Sequence, residues 1–150
     1  MPLLTEVRDA AVALLKEGLP EAARVEAFVG DLNVDSVAGK HVLPSGQGSV
    51  FVTFGEAENL FGDHDLDLNI SAAYGCFVLA RDVARPAQAE AVALAMAQKV
   101  AILLNGATYG LYTVSPARIM SIAPVTDEGM AQKGIHAWAV TWNHFVEMES

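Results

Sequence analysis

Between Pro86 and Leu104 the chain carries only four polar side chains, Gln88, Glu90, Gln98 and Lys99. Val92, Met96, Val100 and Leu103 recur at helical spacing on one side, and Ala91, Leu94, Ala95 and Ile102 on another. Pro86 sits at the first helical position, where its missing N–H costs least, and Asn105-Gly106 supplies a stop. A helix apolar on two sides must find two partners. One is expected to be a sheet; the other is either an earlier helix or a second copy of the chain, which makes Val92 and Met96 candidate interface residues.

The remaining segments set what that helix can pack on. Val7, Ala11, Leu14 and Leu15 form an amphipathic helix over 5–19, with Thr5 able to cap it and Gly18 and Pro20 ending it. A short extended stretch follows at 24–28. Gly30, Gly39, Pro44, Gly46 and Gly48, set among Asp31, Asn33, Asp35 and Ser36, predict a long loop over 30–48, read as an arm that orders on a partner or as a solvated surface loop. Residues 49–55 alternate as a strand. Residues 63–80 alternate more clearly, with Leu66, Leu68, Ile70 and Ala72 opposite Asp63, Asp65, Asp67, Asn69 and Ser71, and Gly75 marks a bulge or close approach. Strands are predicted at 117–125 and 135–147, joined by the turn cluster Thr126-Asp127-Glu128-Gly129. In the last, His136, Trp138, Val140, Trp142 and His144 share a face. The order lacks regular βαβ alternation, so the expected class is α+β: one domain over 1–150, with a single mixed, mainly antiparallel sheet and two helices packed on it.

Composition narrows the function. At 150 residues the chain suits one core, yet its mean hydropathy of +0.33 exceeds what one core needs, and a subunit interface is the natural place for the surplus. No apolar run reaches the roughly 20 residues that cross a bilayer. Met1-Pro2-Leu3-Leu4-Thr5-Glu6 lacks the basic start of a signal peptide, which predicts cytosolic residence. Lone Cys76 lies in an apolar strand and reads as a buried, inert thiol. A net charge of −9, with scattered bases, opposes contact with a phosphate backbone.

Candidate chemistry is sparse. Asp63-His64-Asp65-Leu66-Asp67 starts like a calcium loop, but Leu68 stands where glycine is needed and Tyr74 where the bidentate Glu belongs. Acids two apart on a strand also form a ladder with steps of about 6.8 Å, not a cage. A charged patch that sets subunit register is the simpler role for Asp63, Asp65 and Asp67. His136 and His144 lie roughly 27 Å apart at strand rise, cannot share an ion, and read as surface or interface residues. His41 and His64 depend on the tertiary fold. Gly46-Gln47-Gly48 precedes a strand and is no dinucleotide loop. Trp138 and Trp142 read as core or interface anchors, or as a wall for a stacked ligand. No catalytic residues, cofactor or metal are assigned.

The chain resembles a family of small tail proteins of Mu-like phages and prophages, similar in architecture to the tail terminators of long-tailed phages. The resemblance rests on the first helix, on 25–32 (VEAFVGDL), 50–55 (VFVTFG) and 78–82 (VLARD) running into the long helix, on the exit 103–106 (LLNG), and on the closing 134–142 (GIHAWAVTW). It covers most of the chain through packing and turn patterns. It implies a structural, non-enzymatic subunit that closes into a homo-oligomeric ring, a hexamer, on the tail tube. The implied partners are the tail-tube protein and a head-neck connector protein, with neither nucleic acid nor membrane. The implied location is the host cytoplasm during assembly, then the virion tail. Two readings of other classes stand beside it: a metal-dependent hydrolase using Asp63, His64, Asp65 and Asp67, and a small ligand-binding module using Trp138 and Trp142.

Overall fold

The computed structural model describes residues 4–28, 46–59 and 68–148. Its elements are α1 (Leu4–Gly18), β1 (Arg24–Ala27), β2 (Gly48–Asn59), β3 (Leu68–Arg81), α2 (Pro86–Leu104), β4 (Arg118–Val125), α3 (Glu128–Gln132) and β5 (Ile135–Met148). The strands form one sheet in the order β1-β2-β3-β5-β4. β1 runs parallel to β2, and every other neighbour is antiparallel. This is the expected mixed, mainly antiparallel α+β sheet. The long loop at 30–48 lies outside the described residues up to its last turn at Gly46.

One face of the sheet is closed by α1 and α2. Val7, Ala11 and Leu15, spaced four apart on α1, are fully buried, as are Val50, Val52, Ala72, Val78, Val100, Leu104 and Val140. Helix periodicity and strand alternation therefore meet in one continuous core. Thr5 falls inside α1 rather than capping it, and the first turn is held instead by the Tyr74 hydroxyl, which donates to the Leu4 carbonyl at 2.9 Å. Met96 packs where a side chain on Gly48 would stand: a Cβ there would come within 2.7 Å of its sulfur. The absence of a side chain at position 48 thus seats α2 on the sheet.

The bilayer expectation needs correcting. The 19 residues of α2 are long and apolar enough, by length and composition, to cross a membrane. In this fold the helix packs on the sheet and on α1, burying Ala89, Ala93, Met96, Ala97, Val100 and Leu104. Both partners come from the chain itself, and α2 still leaves Ile102 77% exposed.

Among the described residues the other face is covered at one end, by α3. Asp127 caps α3 by accepting the Met130 N–H at 3.0 Å, which turns the expected turn cluster into a third short helix. Met130 then packs with Phe28, Phe51, Leu79, Ile135 and Ala137. Gly134, at φ +72°, lies so close to the exit of β3 that a Cβ would come within 2.8 Å of the Val83 Cα. The bulge or close approach expected at Gly75 is absent: Gly75 pairs regularly with Thr53 and Thr141, a Cβ there would meet its nearest neighbour at an ordinary 3.6 Å, and β2 instead shifts register between Phe54 and Glu56, around Gly55.

Candidate functional site

Among the described residues, nothing beyond α3 packs on the second sheet face. Strand alternation places Thr53, Glu56 and Glu58 of β2, Ser71, Ala73, Gly75 and Phe77 of β3, and Ala139, Thr141, Asn143 and Phe145 of β5 on it. The pairing register arranges them in rows across the sheet: Thr53–Gly75–Thr141–Ser121, then Glu56–Ala73–Asn143–Arg118, then Glu58–Ser71–Phe145. The middle of each row is small, and the face is concave there, with grooves of about 480 Å³ over Ala73, Gly75 and Ala139 and about 260 Å³ beneath Met120, Glu56 and Glu58. Ser121 and Thr141 share a 2.6 Å hydroxyl hydrogen bond, and the Asn143 amide donates to the Ser71 hydroxyl at 3.3 Å. Met120 is 59% exposed and Phe145 48%.

The sheet also ends, among the described residues, in two unpaired edges. Among the described residues β1 pairs with β2 from Ser49 to Val52, and the Phe28 N–H donates to the Val52 carbonyl at 2.7 Å. Among the described residues no strand pairs with the outer side of β2 from Thr53 onward. β4 is the opposite edge, exposed along most of its length.

The predicted site residues separate. Val92 and Trp138, both half-buried, pack against the buried cluster Ala80, Ala89 and Ala93. Met96 and Trp142 are buried in the chain's own core, so in this conformation neither offers its surface to a second subunit. Trp142, 1% exposed, stacks on Tyr74 with ring centroids 6.1 Å apart. No shared ligand wall results, since Trp138 alone of the two lines the groove of about 440 Å³ that also takes in Glu90, Pro124 and His136. Asp63, His64, Asp65, Asp67 and His41 lie outside the described residues; β3 is described from Leu68. Among the described residues no three His, Cys, Asp or Glu gather as metal ligands would. Burial pushes the Cys76 thiol up to about 12, so it stays protonated.

His144 corrects the reading of a surface or interface histidine. It is fully buried. Its Nδ1 lies 2.8 Å from the Ser115 carbonyl, an acceptor, so Nδ1 carries the proton and Nε2 accepts from the Tyr109 hydroxyl at 3.0 Å. Burial holds its pKa below the usual histidine value, against the pull of the Ser115 carbonyl. The histidine therefore pins the 105–117 connection, in which Tyr109 and Thr113 adopt positive φ (58° and 67°), against β5. Backbone bonds from Ser115 to Phe145 and from Glu147 to Thr113 complete the join, leaving Tyr112 84% exposed at its tip.

The sequence reading missed Glu56, Glu58, Arg118 and Met120, because an edge is a property of strand order. The signal present was β4 itself, whose apolar residues fall on both faces around Pro124.

No family model matches the chain, and no curated protein matches it. Among solved structures, it is similar to a chain of the virion of a native gene transfer agent (GTA) particle, with a TM-score of 0.53 at 14% identity, covering 91% of this chain and 93% of that one. What the two share is the fold, over nearly their whole lengths.

Proposed function

We propose that the chain is a structural subunit of a phage or phage-like particle, and within it a tail terminator: a ring, of six copies, that caps the tail tube and meets the head-neck complex. The observation that carries this reading is the likeness in fold to a chain of a gene transfer agent virion, which spans almost all of both chains. The exposed surface is of the kind such a role uses. A sheet face with no cover over Thr53, Gly75 and Thr141 among the described residues, and strand edges without a described partner on both sides of it, are docking surfaces more than reaction vessels. Closed rings need two different, mutually complementary patches on each subunit, and the sheet has two different edges. The tail-tube protein and a connector protein are the remaining partners in this reading.

The test is light scattering coupled to size exclusion, over a concentration series with and without tail-tube protein, followed by electron microscopy of any large species. Rings, or a complex with tube protein, are the expected result. A chain that stays monomeric throughout and ignores tube protein overturns the reading.

A further inference from the structure

Three antiparallel steps separate β2 from β4 across the sheet, so the two strands run in opposite directions. If a second copy is set beside the first the same way up, β4 of one meets β2 of the next as an antiparallel pair, the geometry that sheets form most readily. The two edges are also opposite in charge. Row by row, Glu56 stands at the β2 edge and Arg118 at the β4 edge of the same row, with Glu58 one row further along. All three are exposed, and none makes an ion pair among the described residues.

We infer that copies of this chain join edge to edge, β4 of one subunit (Arg118–Ala123) pairing antiparallel with the part of the next subunit's β2 that has no outer partner among the described residues (Thr53–Glu58), with Arg118 set against Glu56 and Glu58. The contact uses two different patches, so it is heterologous, and repeated by rotation it closes a ring with every open sheet face on the same side. β1 limits the contact on one side, since it already occupies β2 up to Val52. Pro124, which has no N–H to donate, limits it on the other. Along β4 the only outer backbone group with a described partner is the Ile119 N–H, directed to Asn105 Oδ1 at 3.4 Å. A two-fold β2–β2 contact would bring acids against acids and is disfavoured. The inference rests on the ring reading and names the surface that builds it.

Charge reversal tests it. Arg118→Glu alone, and Glu56→Lys with Glu58→Lys alone, are each expected to raise the concentration for half-assembly by about tenfold or more. Thermal melts taken at concentrations below assembly should be unchanged, because in the monomer all three side chains are in solvent. An equimolar mixture of the two variants restores both kinds of contact and is expected to reassemble as an alternating ring. An oligomer indifferent to these reversals, or a mixture that stays apart, overturns the edge pairing and leaves the ring reading standing. A chain monomeric at all concentrations, with tube protein present, overturns both.

Discussion

Tyr109 and Ser115 between them fix His144 as a neutral imidazole, and that has a measurable cost in acid. Its folded pKa lies below the usual 6.5, so as pH falls through that value the unfolded chain takes up a proton that the folded chain does not. The stabilisation is fully present above about pH 6.5 and is lost progressively below it. Thermal melts from about pH 8 to about pH 5 should show this decline, and His144→Gln should flatten it. Tyr109→Phe leaves a buried Nε2 without its donor and should cost about 1–3 kcal/mol in chemical denaturation. At Gly134, alanine meets both a positive φ and the Val83 backbone, and a loss of about 1–3 kcal/mol or more is expected by the same measurement. None of these roles was legible in sequence. Period two put His144 on the correct strand face, beside Trp142 and Val140, but only the tertiary fold brings the 105–117 connection over it. That missing cover is why a core histidine read as a surface one.

The long helix is the element that the sequence described best. Proline at its start, Asn105-Gly106 at its end and sparse polar residues gave its limits; four of the five strands followed from alternation or turn signals, but β2 runs on to Asn59, past its expected end at Gly55, and the expected start of β3 at 63–67 lies outside the described residues. Two things escaped: the short α3, whose Asp127 cap read as a turn, and the placing of the β2 bulge at Gly55. The helix also divides into faces that can be separated experimentally. Leu104→Ala opens the core and should cost about 2–5 kcal/mol. Ile102→Lys changes a side chain in solvent and should alter monomer stability by less than about 0.5 kcal/mol. Equal losses at both positions, in urea titrations, would mean that the outer side of α2 is covered in the isolated chain.

At the level of the whole molecule, the apolar surplus visible in composition goes to places that composition could not assign. Met96 and Trp142, read as interface candidates, are buried within the chain, while the face without cover among the described residues is centred on Ser71, Ala73 and Gly75 and flanked by Met120 and Phe145. Which strands end up as edges depends on pairing order, and no local pattern encodes that. The account proposed from the complementary edges is of a subunit joined on both sides by its own copies. The most direct test is the mass of the assembled species, measured by light scattering across a concentration series with tail-tube protein present. The account predicts a mass several times that of the 15.9 kDa chain, reduced by Arg118→Glu and restored by its Glu56→Lys/Glu58→Lys counterpart. A mass that stays at 15.9 kDa under every condition would contradict it.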